Sequence, residues 1–510
     1  MHPKHHSRTQ PSKPAYIMGT SGVSIDYATL EARSNRLAHF WRSIGLRAGD
    51  TIAVVLENHE WFLPLVWSAD RSGLYYACLS HTLSGADLAY ILNDSGAHSV
   101  VCSRQTLPLL LAAKNCGARP GLLLVDGEES DTRNITASLA RFPDTPIADE
   151  AAGSDMLYSS GTTGRPKGIR KPFVEGRPID EPTPMMAMAP RRFGMGVDTV
   201  YLSPAPLYHA GPLRWAMLVQ RLGGTVVIME RFDPERALAL IEQYRITASQ
   251  WVPTHFSRML QLPEDVRLKY DVSSMRTAIH AAAPCPQPVK HAMLRWWGPI
   301  IHEYYGGTEN NGLTMISPDE WLSHPGSVGR AVVGKIRICG EAGDPVPARV
   351  EGTVYFEGGP GFVYHNDAAK TEDSRNKHGW TTLGDVGWID EEGFLYLTDR
   401  KSFMIISGGV NIYPQEIENV LAVHPKVMDV AVIGAPDRDM GERVVAVVQP
   451  TRWEDAGPAL ASELQVYARE RLGGVKTPRQ IDFRRELPRE PTGKLFKRML
   501  RDQYRQSGTA

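Results

Sequence analysis

The chain of 510 residues is long enough for two or more domains and a large hydrophobic core. Its hydrophobic fraction of 42% and charged fraction of 22% are ordinary for a globular enzyme. The 56 basic and 57 acidic residues leave a net charge of -1, which argues against strong attraction to nucleic acid or to an acidic membrane. Any recognition by charge therefore has to come from local clusters.

The cysteines and the N-terminus carry little sign of secretion or metal binding. Five scattered cysteines contain no CxxC pair, so neither a zinc site nor a disulfide framework is indicated, and a cytoplasmic location is expected. We expect no signal peptide and no membrane span, because no suitable apolar run is present. His5 and His6 could bind a metal, but a frayed, solvated terminus is the expected state.

Strand-like and helix-like segments alternate in the first part of the chain. Strands are expected at residues 51–56, 99–102 and 122–125, and a helix at residues 84–92 with Ser84 as its cap. The alternation predicts an α/β fold with largely parallel sheets. Residues 171–196 are rich in Pro, Met and Arg, show no clear period, and are expected to be irregular.

The alternation returns in the middle of the chain and changes near its end. Strands are expected at 199–203, 224–229, 247–252 and 393–398, and a helix at 233–243. A compact set of helices (413–423, 461–472) and strands (427–433, 444–448) then predicts a small α+β domain of about a hundred residues. We place the boundary near Arg400, giving an N-terminal domain 1–399 and a C-terminal domain 400–510.

The most informative stretch is YSSGTTGRPKG at residues 158–168. Glycines let the backbone approach a ligand closely, and amides, hydroxyls and one lysine together suit a polyphosphate. The spacing is not that of the common P-loop, because Lys167 follows Pro166 and precedes Gly168. A flexible surface loop is the alternative, and it is disfavoured because linkers rarely place Pro-Lys-Gly after such a run. The candidate phosphate-binding residues are Ser159, Ser160, Gly161, Thr162, Thr163, Gly164 and Lys167.

Three later motifs offer groups that suit a nucleotide. Glu309 can reach Mg²⁺, a hard cation that prefers carboxylate oxygen. Asp385 follows a glycine and can accept hydrogen bonds from both hydroxyls of a ribose, although capping a turn is the usual role of an Asp in that position. The small residues at 281–284 can lie against a flat ring, and tight helix–strand packing explains them equally well.

These motifs closely resemble those of the AMP-forming adenylating enzymes: acyl-CoA synthetases, peptide-synthetase adenylation domains and beetle luciferases. The Tyr-Gly-x-Thr-Glu pattern of that family is complete at residues 305–309, and the resemblance covers residues 27–500. The segment at 411–418 resembles the CoA-ligase branch. Two departures occur: Leu383 splits the family's Thr-Gly-Asp, and Ser402-Phe403 stands where the family usually has a Lys or Asp hinge residue followed by an acid.

The resemblance implies a large N-terminal region of two α/β sheets plus a small β-barrel, followed by a small, mobile α+β C-terminal domain. It implies an acyl-CoA synthetase that uses ATP, Mg²⁺ and coenzyme A. Acyl-AMP forms first, and rotation of the small domain about residues 400–402 then admits the CoA thiol. The implied catalytic residues are Lys494, Lys167, His209 and Thr308, with Glu309 at the metal. The implied nucleotide and CoA contacts are Ala282, Ala283, Pro284, Tyr305, Thr308, Asp385, Arg400, Gly408 and Gly409.

The acid that the enzyme activates is less defined by the sequence. Small residues at 281 and 306–307 leave room for a medium- or long-chain fatty acid or a bulky ring-bearing acid. The candidate lining residues are His209, Trp215, Trp251, His255, Ala281 and Gly306. Two alternatives are an acyl-AMP ligase that loads a carrier protein without CoA turnover, and a binding protein that only holds nucleotide. The intact SGGVNIYP at 407–414 argues against the first, and retention of Lys494 and Glu309 argues against the second. The sequence leaves the oligomeric state open, a homodimer included.

Overall fold

A computed structural model of the protein describes residues 1–127, 129, 132–159, 166–400, 403–489 and 495–507, except for the side chains of residues 159, 506 and 507. The chain divides into two compact units. The first comprises Met1–Trp251, Gln261–Ile279 and Phe362–Glu372, and the second comprises Val252–Leu260, His280–Gly361 and Asp373–Ala510.

The strands are numbered in chain order. The strands up to residue 280 are β1 Pro14–Met18, β2 Ser24–Asp26, β3 Thr51–Val55, β4 Tyr75–Cys78, β5 Ala97–Cys102, β6 Gly121–Leu124, β7 Arg133–Asn134, β8 Ser154–Ser159, β9 Lys167–Arg170, β10 Val200–Ser203, β11 Thr225–Ile228, β12 Ala248–Trp251 and β13 Thr277–His280. Those that follow are β14 Ile301–Tyr305, β15 Leu313–Ile316, β16 Ser327–Val333, β17 Lys335–Cys339, β18 Gly352–Glu357, β19 Thr381–Ile389, β20 Leu395–Arg400, β21 Ile405–Ser407, β22 Val410–Ile412, β23 Val427–Asp437, β24 Gly441–Pro450 and β25 Gln480–Phe483.

The α-helices are numbered in the same way. They are α1 Pro3–Thr9, α2 Tyr27–Ser43, α3 Phe62–Arg71, α4 Gly85–Asp94, α5 Leu107–Asn115, α6 Pro184–Phe193, α7 Ala210–Arg221, α8 Pro234–Tyr244, α9 Pro253–Leu260, α10 Glu264–Arg267, α11 Gln287–Trp297, α12 Pro318–Ser323, α13 Ala368–Asp373, α14 Pro414–Leu421, α15 Pro458–Leu472 and α16 Lys497–Ser507. No helix in the described part of the chain is both long and apolar enough to cross a membrane.

The first unit contains two α/β sheets, as predicted. One runs in the order β7-β6-β5-β3-β4-β8-β9 and is parallel except for the last pair. In the other, the order is β12-β10-β11-β1-β2, parallel except for β1 with β2. Strand β3 is buried along its whole length, as expected for a strand covered by helices on both faces. The side chains of Ala53 and Val55 in β3 pack with those of α4 and α5 in one hydrophobic cluster.

The second unit contains antiparallel strands in the order β17-β18-β19-β20-β16-β15-β14. A separate sheet, β22-β21-β24-β23 with β25 beside β24, carries α14 and α15 on one hydrophobic core. This last sheet and its helices give the α+β character expected of the C-terminal part. The small β-barrel, the boundary near Arg400 and the mobility of the C-terminal domain stay predictions.

Local signals in the sequence explain why several helices begin where they do. The Ser84 side chain accepts a hydrogen bond from the Asp87 amide at 3.1 Å, so Ser84 caps α4 as predicted. Asp233 caps α8 in the same way, through the Arg236 amide at 2.7 Å, and Pro234 occupies the first turn.

Two expectations about irregular segments were wrong. Residues expected to be irregular include α6, Pro184–Phe193, which is followed by the cap residue Gly194 in the left-handed region (φ 62°). Pro190 inside this helix hid its periodicity, whereas the proline start and glycine stop were readable. At the N-terminus, α1 replaces the expected frayed terminus. His2 is fully buried with its ring 5.0 Å from that of Trp67, and the His6 ring nitrogen Nε2 lies 3.0 Å from the Arg221 carbonyl oxygen.

Candidate active site

The predicted phosphate-binding segment spans a hairpin in the first unit. Strands β8 and β9 are antiparallel, with Ser159 opposite Lys167 and Tyr158 opposite Gly168. The hairpin thus fixes both ends of the glycine-rich segment. Ser160, Gly161, Thr162, Thr163 and Gly164 lie outside the described residues.

Lys167 stands beside an aromatic side chain that the motif did not reveal. Its Nζ lies 5.4 Å from the centroid of the Tyr364 ring, within the range of a cation–π contact. Tyr364 is brought there by a bridge with Ile169, and the His365 amide donates to the Gly168 carbonyl at 2.8 Å. Residues 364–365 are therefore part of the support of Lys167. Their distance in sequence from residue 167 left no local signal of this contact.

Tyr158 stiffens the base of the same hairpin. The Tyr158 hydroxyl donates a hydrogen bond to Asp94 Oδ2 at 2.7 Å. Burial is the main cause that raises the pKa of Tyr158 well above its ordinary value, and this hydrogen bond is the second. A Cβ added at Gly168 would lie 2.9 Å from the Tyr158 ring, so glycine is required where the two strands meet. The hydrogen bond and the close approach pack the base of the hairpin beside Lys167.

The remaining predicted residues of the first unit surround helix α7. His209 is the N-cap residue of α7, at the end of the loop after β10, and its ring lies 4.4 Å from that of Tyr208. The His81 ring also contacts Tyr208, with ring centroids 5.4 Å apart. The side chains of Trp215 and Trp251 are buried, and Trp215 packs against Phe193 at 5.7 Å. The Tyr208 ring thus contacts both His209 and His81, and neither Tyr208 nor His81 was predicted as a site residue.

In the second unit, three predicted nucleotide residues meet at one carboxylate. The Tyr305 hydroxyl donates to Asp385 Oδ2 at 2.6 Å, and Arg400 Nε donates to Asp385 Oδ1 at 3.0 Å. Asp385 and Arg400 are directly paired residues of β19 and β20, and Tyr305 ends β14. Each carboxylate oxygen accepts one of these bonds and keeps a further lone pair. The carboxylate can therefore still accept two hydroxyl groups.

Burial and neighbouring charges shift the pKa values of Tyr305 and Arg400 in this group. Burial, then the charge of Asp385 and its hydrogen bond, raises the pKa of Tyr305 well above the ordinary value, so the phenol stays a donor. Burial lowers the pKa of Arg400, but Asp385, Tyr305 and Glu309 together raise it above its ordinary value. The negative charge of Glu309 acts on both Tyr305 and Arg400, which places Glu309 in the same electrostatic environment.

Gly307 packs between the predicted metal ligand and the unusual Leu383. A Cβ at Gly307 would lie 2.8 Å from Glu309 Oε2 and 2.4 Å from Leu383 Cδ1. The leucine inserted into the Thr-Gly-Asp pattern therefore covers the loop that carries Thr308 and Glu309. Thr382 still braces the turn, because its Oγ1 accepts the Gly384 amide at 3.0 Å and donates to the Val354 carbonyl at 2.7 Å.

The donor set around Glu309 fits Mg²⁺ rather than a metal held entirely by protein. In the residues that the structure describes, no group of three or more His, Cys, Asp or Glu side chains could hold a metal ion. Mg²⁺ usually keeps several waters and binds through one or two carboxylates plus substrate phosphates. Glu309 supplies such a carboxylate, so the ion is expected to arrive with the nucleotide phosphates.

The small-residue turn after β13 has a strained backbone. Ala282 adopts φ +75°, a left-handed conformation that costs a non-glycine residue about 1–2 kcal/mol. Ala281 is buried, whereas Ala282 and Pro284 are exposed and Ala283 is half-buried. The turn thus presents backbone and small side chains that a flat ring could approach.

Two predicted acyl-pocket residues of the second unit have contrasting surroundings. His255 is buried, and burial followed by the charge of Arg258 lowers its pKa to about 3, so the imidazole is neutral. Gly306 is tightly packed, since a Cβ there would lie 3.0 Å from Leu313 Cδ1. His255 can therefore offer a neutral polar edge, and Gly306 cannot carry a larger side chain without repacking.

The C-terminal predictions fall partly outside the described residues. Gly408 (φ 57°) and Gly409 (φ 79°) form the two-residue turn between β21 and β22, where both central positions need positive φ. Asp399 links the end of β20 to α14, because its Oδ2 accepts the Gln415 amide at 2.9 Å. Lys494 and Ser402, which lies in the predicted hinge, fall outside the described residues.

Known proteins resemble this chain along nearly its whole length. A family model described as AMP-binding enzyme matches residues 3–362, and one described as AMP-binding enzyme C-terminal domain matches residues 416–494. The long-chain-fatty-acid–CoA ligase FadD13 of Mycobacterium tuberculosis is 31% identical over 507 residues, covering 97% of this chain and 96% of that protein. The feruloyl-CoA synthase of an Amycolatopsis species is 31% identical over 506 residues, covering 98% and 97%. ATP-bound MatB from Rhodopseudomonas palustris superimposes with a TM-score of 0.80 at 28% identity, covering 99% of this chain and 100% of that one.

Proposed function

The chain belongs to the AMP-binding enzyme family as an AMP-forming acyl-CoA synthetase, and from this premise we propose that its acid is hydrophobic, either a medium- or long-chain fatty acid or a bulky ring-bearing acid. Enzymes of this type use ATP, Mg²⁺ and coenzyme A. The acid class is supported by relatives named for a long-chain fatty acid and for a feruloyl group. Five free cysteines, of which three are buried, support a cytoplasmic location.

The observation that carries the nucleotide half of the proposal is the arrangement around Asp385. Tyr305 and Arg400 each occupy one lone pair of its carboxylate, at 2.6 and 3.0 Å. The remaining lone pairs suit the two hydroxyls of a ribose, and the Tyr305 ring then flanks the adenine. The strained turn at 282 supports a role for residues 282–284 on that ring.

In the first half-reaction, a carboxylate oxygen of the acid attacks the α-phosphorus of ATP. The bond between the α-phosphorus and the bridging oxygen breaks, and pyrophosphate leaves. Positioning and charge neutralisation dominate such chemistry. We assign Lys167 and residues 159–164 to the leaving phosphates, Thr308 and Lys494 to the α-phosphate, and Glu309 to Mg²⁺. His209 is assigned to the mouth of the acyl pocket.

In the second half-reaction, the CoA sulfur attacks the acyl carbon of acyl-AMP. The carbon–oxygen bond to the phosphate breaks and AMP leaves. We propose that the C-terminal domain turns about residues 400–402 between the two steps, which withdraws Lys494 and presents Gly408 and Gly409. A rotation of this kind lets one site host two reactions.

The test is AMP release across a panel of acids: short-, medium- and long-chain fatty acids, aryl acids and steroid side-chain acids. Release that depends on CoA and is strongest with one hydrophobic class supports the proposal and identifies the acid. A preference for acetate or a dicarboxylate would contradict it. Repeated turnovers of pyrophosphate release that do not depend on CoA, with no thioester formed, would favour the carrier-loading acyl-AMP ligase.

A further inference from the structure

A buried ion cluster in the second unit has no role in the function described so far. Glu303 of β14 lies 2.5 Å from Lys290 Nζ of α11 and 3.2 Å from His280 Nε2, both measured to its Oε2. Lys290 and His280 are fully buried, and Glu303 is nearly so. The Lys290 ammonium also lies 4.6 Å from the ring of the buried Trp321. The cluster is therefore closed to water.

The cluster connects two parts of the predicted nucleotide site. Glu303 and Tyr305 are two residues apart on β14, so their side chains lie on the same face of the strand. His280 directly precedes the turn at 281–284, and Lys290 lies in the first turns of the helix that follows it. One carboxylate thus ties the strand that carries Tyr305 to both ends of the strained turn.

A contribution to the stability of the fold does not by itself explain why these charged side chains are buried. Desolvating buried charges is costly, and hydrophobic side chains of similar volume often stabilise a fold as well or better. Burial raises the pKa of the Glu303 carboxyl, but the Lys290 ammonium at 2.5 Å outweighs burial and lowers it, so the carboxylate stays charged. Burial lowers the pKa of His280, so the imidazole beside this carboxylate is neutral at neutral pH. The buried Glu303 carboxylate, with Lys290 and His280 beside it, therefore favours one arrangement of these three side chains more strictly than apolar packing would.

We propose that Glu303, held by Lys290 and His280, is a positioning residue that fixes the separation between the Tyr305 ring and the turn at 281–284, and so the affinity for the adenine nucleotide. This inference rests on the proposed nucleotide site. The cluster itself does not contact substrate. Its loss should weaken nucleotide binding and change the binding of acid and CoA little.

The experiment measures AMP binding by calorimetry, the KM values for ATP, acid and CoA, and the midpoint of thermal unfolding. Glu303→Gln removes the charge and keeps the shape. The double variant Lys290→Met/Glu303→Gln removes both charges, so no ion is left uncompensated. We expect about a tenfold weaker affinity for AMP and a similarly higher KM for ATP in both variants, with the KM for acid and CoA nearly unchanged. The double variant should recover most of the thermal midpoint that Glu303→Gln loses.

The matched control is Asp70→Asn, which breaks the buried Arg221–Asp70 pair of the first unit. It should lower the thermal midpoint without weakening AMP binding. Recovery of wild-type AMP affinity in the double variant, or unchanged affinity in either folded variant, would overturn the inference, because the cluster would then be structural only. If Glu303→Gln does not fold, Lys290→Arg keeps the charges, alters the donor geometry and provides the same comparison.

The same measurements distinguish a failure of the proposed function from a failure of this inference. If the wild-type protein does not bind AMP, the nucleotide site itself is wrong. If it binds AMP and Asp385→Asn weakens that binding while the Glu303 variants do not, only the positioning role is wrong.

Discussion

Tyr305 donates its hydroxyl to Asp385 across 2.6 Å, and this bond joins the predicted adenine contact to the predicted ribose contact. The two residues are 80 positions apart in the sequence. Because Arg400 holds the other carboxylate oxygen, the Asp385 side chain has one orientation, with its free lone pairs defined before any nucleotide arrives. The carboxylate is thus preorganised to accept two hydroxyl groups, which reduces the ordering that binding of a ligand would otherwise require.

Asp385→Asn should weaken AMP binding about 10- to 100-fold, because hydrogen bonds to a charged group contribute about 1.5–3 kcal/mol. Tyr305→Phe should have a smaller effect, since the ring stays and only the bond to Asp385 is lost. Calorimetric titration with AMP gives both values. Tyr504→Phe is the control, because the Tyr504 hydroxyl donates to Asp482 in the same chemical pairing, away from any predicted nucleotide residue. Equal losses in Tyr504→Phe and Tyr305→Phe would mean that the effect is not specific to the nucleotide site.

Gly307→Ala should impair the first half-reaction severely, because the new methyl group would lie 2.4 Å from Leu383 and 2.8 Å from Glu309. Adding Leu383→Ala should recover part of the activity, since it removes the closer clash and leaves the one at the carboxylate. The measurement is acid-dependent pyrophosphate release at several Mg²⁺ concentrations. Gly474→Ala is the control, because a Cβ at Gly474 meets no atom within 4 Å. Full activity of Gly307→Ala would show that this loop is not constrained as described.

Glu309→Gln should raise the Mg²⁺ concentration needed for half-maximal pyrophosphate release. A neutral amide is a poorer ligand for a hard cation, and the remaining ligands are phosphates and water. Glu341→Gln, a substitution at an exposed glutamate outside the predicted site, is the control. A Mg²⁺ titration that Glu309→Gln leaves unchanged would remove this residue from the metal site.

Lys494→Ala should lower acyl-AMP formation about a hundredfold or more, as expected when a group that stabilises developing charge is removed. Thioester formation from supplied acyl-AMP should stay close to the wild-type rate, because Lys494 is assigned to the first step only. Rapid-quench assays of each half-reaction separate the two. Lys476→Ala, which removes a partly exposed lysine paired with Glu416, is the control. Equal loss of both half-reactions in Lys494→Ala would refute the assigned role.

The stability of the fold should fall as the pH is lowered below neutrality, and His255 should contribute to this fall. Burial lowers its pKa from 6.5 to about 3. Between these values the unfolded chain binds a proton that the folded chain does not, so stability is lost as the pH falls. The slope from one such proton is at most about 1.4 kcal/mol per pH unit. Urea unfolding at several pH values should show a flatter dependence for His255→Asn, whereas His98→Gln, at an exposed histidine, is the control. An unchanged slope in His255→Asn would contradict the neutral state of His255.

Short motifs predicted much of the candidate site, because its chemistry requires particular residues at fixed spacing. Residues 158–168 and 305–309 predicted a phosphate segment and a nucleotide loop, and the structure shows the Tyr305 hydroxyl bound to Asp385. The alternation of strands and helices likewise predicted the two α/β sheets of the first unit. The caps at Ser84 and Asp233 were predictable because they depend only on neighbouring residues.

Contacts between distant residues could not be predicted in the same way. Lys290, Glu303 and His280 carry no local motif, and only the folded chain brings these side chains together. The same holds for Tyr364 beside Lys167. Helix α1 was missed because burial of His2 against Trp67, far along the sequence, stabilises it. The sequence also gave no reason for Leu383, whose packing on Gly307 became visible only in three dimensions.

An AMP-forming acyl-CoA synthetase makes acyl-AMP and passes the acyl group to CoA. Both steps are tested together by the stoichiometry of AMP, pyrophosphate and thioester formed from MgATP, CoA and the preferred hydrophobic acid. We expect one AMP and one pyrophosphate for each acyl-CoA, with no AMP release when either the acid or CoA is omitted. Pyrophosphate and acyl-AMP formed at the same rate with and without CoA, with no thioester, would contradict it.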